Sequence, residues 1–133
     1  MKIKLLLLCG LLALLPLAWA DRVDDELLQQ AYQQQRSDLQ VKGEGTVFKL
    51  LADDNRGSRH QRFIIRLASG QTLLAAHNID LAPKIENLNV GDKISFFGEY
   101  EWSNKGGTLH WTHHDPRGRH VSGWLKHAER VYQ

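Results

Sequence analysis

Histidine and tryptophan side chains are concentrated in the last quarter of the chain. The segment from Trp102 to His127 holds five of the seven histidines and three of the four tryptophans. Histidine can transfer a proton near neutral pH or ligate a transition metal, and tryptophan can stack on a base or a sugar ring. The segment therefore predicts a functional site, and three kinds of chemistry are open for it.

A metal site is the first possibility, because histidine and carboxylate are common zinc ligands. His110 and His114 would share one face of a strand, but four strand residues span about 13 Å, which is too far for one ion. The turn at Asp115 and Pro116 would have to gather the ligands, with His77 as a further donor from another strand. The candidate ligands of a divalent metal such as zinc are His113, His114, Asp115 and His120. The alternative is that these histidines are surface or hydrogen-bonded structural groups.

Hydrolysis of a phosphodiester is the second possibility. A histidine can give or take the proton, and Arg117 and Arg119 could hold the phosphate and stabilise its growing charge. A histidine followed closely by proline is also found in metal-dependent nucleases with a ββα unit, although Gly118 and Gly123 argue against the helix that such a unit needs. The predicted catalytic residues are His114, Asp115 and His120.

Binding without chemistry is the third possibility, and the sequence favours it. The tryptophans would provide stacking surfaces for an oligosaccharide or a single-stranded nucleic acid. The predicted ligand-binding residues are His77, Asn78, Asp80, Trp102, Trp111, Arg117, Arg119 and Trp124. The alternatives are structural: Trp102 and Trp111 could form a cross-strand pair, and Asn78 or Asp80 could cap a turn. A structural or protein-interaction role in the cell envelope also stays open.

Five segments of alternating polar and apolar residues must position this patch. Strands are predicted over residues 43–51, 60–67, 72–77, 93–102 and 108–114. A loop with Pro83 separates the third strand from the fourth. This spacing predicts a mainly β fold, a small five-stranded OB-like Greek-key barrel, with a β-sandwich or an open meander as the alternative. Gly45 and Gly98 are expected where such a barrel bends sharply.

A helix is predicted in front of the strands, over residues 23–40. The segment has no glycine or proline and carries an apolar stripe of Leu27, Leu28, Ala31, Tyr32 and Leu39. Its glutamine-rich middle is expected to face solvent. The predicted domain organisation is a helical segment over residues 21–41 followed by a β domain over residues 42–133.

Residues 1–20 have the features of a cleavable signal peptide. Two lysines precede an apolar run, and Ala18-Trp19-Ala20 is a typical cleavage pattern before the polar Asp21. A periplasmic or secreted protein without a membrane span is therefore predicted, with an uncleaved anchor as the alternative. Cleavage would remove Cys9, the single cysteine, and would leave equal numbers of basic and acidic residues. A neutral domain argues against tight binding of duplex nucleic acid.

Several short strings between His60 and Tyr132 resemble those of a family of short exported bacterial proteins that is catalogued as a domain of unknown function. The strings are HQRF, AHNIDLAP, GEYEW, HWTHHDP and GW. The resemblance implies a bacterial source and export. It implies no activity, cofactor or catalytic residue, so the roles above depend on the residues alone.

Overall fold

The computed structural model of the protein describes residues 24–133. The predicted signal peptide and the first residue of the predicted helix, Val23, lie outside this part of the chain. Within it, no helix is both long enough and apolar enough to cross a membrane.

One short helix precedes seven strands. The elements are α1 (Asp25–Gln33), β1 (Leu39–Leu50), β2 (His60–Leu67), β3 (Thr72–Asn78), β4 (Lys93–Glu101), β5 (Thr108–His110), β6 (Trp124–His127) and β7 (Arg130–Tyr132).

The first five strands form a closed barrel in the order β1-β2-β3-β5-β4, which a β1–β4 pairing completes. The β3–β5 pairing is parallel and the others in the barrel are antiparallel. This confirms the predicted mainly β, OB-like barrel with a helix at its N-terminal side. Strands β6 and β7 extend the sheet outward from β4.

Strand β1 closes the barrel because it bends. Its first part pairs with β4 and its last part with β2, and Gly45 pairs with both neighbours. A Cβ atom on Gly45 would lie 2.5 Å from the carbonyl oxygen of Arg66, and one on Gly98 would lie 2.5 Å from that of His110. Glycine is therefore required where the strands approach so closely.

The barrel interior holds the alternate, inward side chains of the strands, among them Phe63, Ile65, Phe96 and Tyr100, all of them buried. Helix α1 packs its buried Leu28 and Ala31 against this core. Ile85 and Leu88, from the loop between β3 and β4, join the same core. The alternation of strand direction places that loop at the end of the barrel opposite to the β2–β3 turn and the β4–β5 hairpin loop.

Several predicted boundaries were wrong. Helix α1 ends at Gln33 rather than at residue 40, because Leu39 and the residue after it pair with β4. The division between residues 41 and 42 therefore falls inside β1. Strand β5 ends at His110 rather than at residue 114, since Trp111 has a φ of +56° and leaves the sheet. Strands β6 and β7 were not predicted at all.

Candidate functional site

Most of the predicted site residues lie in the loop that connects β5 to β6, residues 111–123, which we call the HW loop. It begins at Trp111, whose left-handed backbone is rare for a bulky residue. The loop closes on itself near its end, where the Gly123 N–H donates to the carbonyl oxygen of His113 at 3.0 Å. A Cβ atom on Gly123 would overlap main-chain oxygens, so glycine is needed there.

His77 anchors the start of the HW loop from inside the protein. Its imidazole is fully buried, with Nδ1 2.7 Å from the Thr112 hydroxyl oxygen and Nε2 3.0 Å from the Pro83 carbonyl oxygen. A carbonyl only accepts, so Nε2 carries the hydrogen and Nδ1 accepts from Thr112. Burial lowers the pKa of His77 from 6.5 to about 4. His77 therefore positions two loops as a neutral ring and is not presented to a ligand.

Asp115 holds the middle of the HW loop. Its Oδ1 accepts the Arg117 N–H, and its Oδ2 accepts those of Arg119 and His120, each at 2.9 Å. The bond from the Arg117 main chain is the main cause that lowers the pKa of Asp115. These contacts make Asp115 a turn-forming residue, and the side chains of Arg117 and Arg119 extend from that turn into solvent.

Trp111 stacks on His120, with ring centroids 4.0 Å apart and planes 7° apart. The His120 Nδ1 lies 2.8 Å from the Val121 carbonyl oxygen, and its Nε2 lies 3.3 Å from a carboxylate oxygen of Glu99. Both ring nitrogens face acceptors, so the doubly protonated imidazolium fits this position best. Burial opposes the charge, but the Val121 carbonyl and the Glu99 carboxylate outweigh it and raise the pKa of His120.

Two adjoining cavities meet at Trp111 and Leu81, and together we call them the Trp111 groove. The first has a volume of about 370 Å³ and the second about 550 Å³. The first is lined mainly by the outward side chains of the barrel strands, His60, Ala76, Asn78, Glu99, Glu101 and His110, together with His113. The second is lined by the HW loop residues Asp115, Pro116, Arg117, Arg119 and His120. The two glutamates therefore lie in one half of the groove, the acidic half, and the two arginines lie in the other, where the Asp115 carboxylate is engaged by main-chain N–H groups.

The two glutamates of the acidic half, Glu99 and Glu101, lie close to a third carboxylate, that of Asp38, which is not one of the residues lining the cavity. One oxygen each from Asp38, Glu99 and Glu101 lie within 4.8 Å of one another. Burial, together with repulsion from Asp38 and Glu99, raises the pKa of Glu101. Among residues 24–133 this is the one group of three or more candidate ligands compact enough to hold a metal ion, and it contains no histidine. The zinc ligand set predicted in the HW loop and the catalytic set that overlaps it stay predictions.

The remaining predicted residues do not meet in one centre, and of these only Asn78 lines the groove. Asn78 lines it, and its side-chain oxygen also accepts the N–H groups of Asp80 and Leu81 in a turn. Asp80 pairs with Arg59 at 2.7 Å. Trp102 donates its indole N–H to the Tyr32 carbonyl oxygen, Trp124 lies 6.2 Å from Phe97, and His114 is exposed. The cross-strand Trp102–Trp111 pair is not formed, since Trp111 stacks on His120 instead.

Glu99 and Glu101 are absent from the site residues that the sequence predicts. The signal for them was the alternation in β4, where buried Gly98 and Tyr100 flank Glu99 and point it outward. Glu99 pairs in register with His110, so β4 and β5 place a carboxylate beside an imidazole on the outer face.

The family model described as protein of unknown function (DUF3465) matches the chain over residues 11–133. No curated protein matches the chain at a significant level.

Proposed function

We propose that this chain, which belongs to the DUF3465 family, is an exported binding module that holds an oligosaccharide in the Trp111 groove. The conformation of Trp111 carries the proposal. A large aromatic side chain on a left-handed backbone is strained, and such strain is retained mainly at functional sites. Here it places an indole ring where the two cavities meet.

The groups around Trp111 fit sugar hydroxyls. Glu99, Glu101 and His110 offer acceptors and donors next to the indole ring, whose apolar face suits the C–H face of a pyranose. The volumes of both cavities are in the usual range for small-molecule sites. Glu99 pairs with His120, but the carboxylates of Glu99 and Glu101 still repel phosphates, so the acidic half of the groove favours a sugar over a single-stranded nucleic acid.

The HW loop is held before a ligand arrives. His77 fixes its first turn through Thr112, and Asp115 fixes its middle through three main-chain N–H groups. A binding surface that is already ordered loses less conformational entropy on binding. This organisation supports a binding role for the loop.

Isothermal titration calorimetry tests the proposal, because its signal does not depend on the tryptophan that is replaced. Protein is titrated with a cello-oligosaccharide, a chito-oligosaccharide and a short oligothymidylate. The variant Trp111→Ala is compared with Trp124→Ala, which removes a tryptophan that does not line the groove. We expect saturable binding of at least one sugar, weakened about tenfold or more by Trp111→Ala, because removal of a stacking aromatic ring costs about 1–3 kcal/mol.

Three results would overturn the proposal. They are the absence of saturation with both sugars, equal weakening by the two tryptophan variants, and saturable binding of the oligothymidylate alone. The last result would indicate that the positive charge of Arg117 and Arg119 outweighs the glutamates of the groove in ligand binding, and that the ligand is a single-stranded nucleic acid.

Export is part of the proposal and is supported by the charge and apolar pattern of residues 1–20. Fractionation of cells that express the full chain, followed by N-terminal sequencing, tests it. We expect the exported protein to begin at or near Asp21. An intact chain that stays in the cytoplasm would show that this part of the proposal is wrong.

A further inference from the structure

We infer that another cavity, separate from the two that form the Trp111 groove and sharing no lining residue with them, binds a neutral sugar. It has a volume of about 470 Å³ and lies between helix α1, the β2–β3 turn and the β4–β5 hairpin loop. We call it the glutamine cavity. The side chains that define it here are Gln29, Tyr32, Gln33, Gln71, Asn104 and Lys105.

Gln71 fixes the inner wall of the glutamine cavity. Its Nε2 donates to the Leu28 carbonyl oxygen at 3.2 Å and to the Gly106 carbonyl oxygen at 2.9 Å, which joins the helix to the hairpin loop. These two bonds also set which way its amide faces. Its Oε1 is buried as well, so Gln71 closes this wall and holds it in place, and the acceptors that a ligand can reach belong to the exposed carboxamides Gln29 and Gln33.

Tyr32 provides a fixed aromatic face beside these amides. Its hydroxyl donates to the Asn104 carbonyl oxygen at 3.1 Å, and its own carbonyl oxygen accepts the Trp102 indole N–H at 3.1 Å. The residue is nevertheless 37 % exposed. A ring that is held at both ends and open to solvent suits stacking against the apolar face of a pyranose.

The composition of the glutamine cavity indicates a neutral ligand. Four of its side chains are carboxamides, Lys105 is its single charged group, and none of its lining residues, all within residues 24–133, is acidic or a histidine. A carboxamide presents a donor and an acceptor side by side, which matches the neighbouring hydroxyls of a sugar. Metal ions find no carboxylate or imidazole here, and a phosphate chain finds only one cation.

Two of the carboxamides can be removed without touching the core. Gln29 and Gln33 are exposed and lie one helical turn apart on α1. Alanine is the best helix former, so the double variant Gln29→Ala/Gln33→Ala keeps the helix. Gln30→Ala/Gln34→Ala is the matched control, because these exposed glutamines have the same spacing but do not line the cavity.

The test is an NMR titration of ¹⁵N-labelled protein with cellobiose, maltose and N,N′-diacetylchitobiose. We expect at least one disaccharide to shift the side-chain amide signals of Gln29, Gln71 and Asn104 in a saturable way. We also expect Gln29→Ala/Gln33→Ala to weaken binding about tenfold, as the loss of two hydrogen bonds would, with the control pair unchanged.

The inference does not depend on the Trp111 groove. It is overturned if no disaccharide gives saturable shifts in the glutamine cavity, or if the two double variants weaken binding equally. Shifts confined to the Trp111 indole and the HW loop would overturn it as well, while supporting the proposed function.

Discussion

His77 makes the stability of the protein depend on pH in a direction that its burial dictates. The pKa of the folded-state imidazole is lowered from 6.5 to about 4, so the unfolded chain binds this proton more tightly than the folded one. The contribution of the neutral His77 ring to the free energy of unfolding is therefore fully present above pH 6.5 and is lost as the pH falls towards 4. The full shift corresponds to about 3 kcal/mol, of which about 2 kcal/mol is lost between pH 8 and pH 5.

Urea unfolding at pH 8 and pH 5, followed by tryptophan fluorescence, measures this loss. Other groups also titrate, so the informative quantity is the difference between the wild type and His77→Gln, which has no imidazole at this position. We expect His77→Gln to be less stable at pH 8, because a flexible amide does not reproduce the fixed geometry of both ring hydrogen bonds, and to lose about 2 kcal/mol less on acidification. His114→Gln is the control, since His114 is exposed. Equal losses in the wild type and His77→Gln would refute the reasoning, and so would an NMR titration of the His77 ring near pH 6.5 in the folded protein.

Three further changes test the HW loop. Gly123→Ala should lower the free energy of unfolding by about 3 kcal/mol, because its Cβ would overlap two main-chain oxygens. The control is Gly118→Ala, which lies in open space at a φ of +63° and should lower the free energy of unfolding by about 1 kcal/mol. Equal losses in urea unfolding would contradict the geometry of Gly123. Asp115→Ala should speed amide exchange at the three N–H groups that the carboxylate accepts, one of them that of His120, and unchanged exchange rates would exclude the turn-forming role. Glu99→Gln should lower the pKa of His120 in an NMR titration, because it removes the negative charge beside Nε2, whereas an unchanged pKa would mean that the pair is not formed in solution.

The barrel could be predicted from the sequence because its signals are local. Alternation in β2, β3 and β4 marks each strand, and the break after β3 suggests the order of the sheet. The end of α1 could not be predicted in the same way. Residues 34–40 suit a helix by composition, but pairing of Leu39 with Tyr100 stabilises them as a loop and a strand, and that partner is remote in sequence.

The candidate site, like the fold, could be predicted only where the sequence signal is local. The concentration of histidine and tryptophan located the HW loop, and Trp111 does line the groove that the loop forms. Residue type did not show which groups face a ligand. His77 is buried, and the Asp115 carboxylate is occupied by main-chain N–H groups. Glu99 and Glu101 do line the groove, but they come from β4, a strand that was interpreted from the sequence only as part of the barrel wall.

The two-sided pairing of β1 has a consequence for the order in which the molecule assembles. From Leu39 to Lys42, β1 pairs only with β4, about 60 residues further along the chain. Contacts between such distant segments form slowly, because the intervening chain must first be brought together. A chain that has emerged only as far as β3 can make the β2–β3 hairpin but cannot close the barrel. The barrel can close only when β4 is present, and until then the first residues of β1 have no strand to pair with.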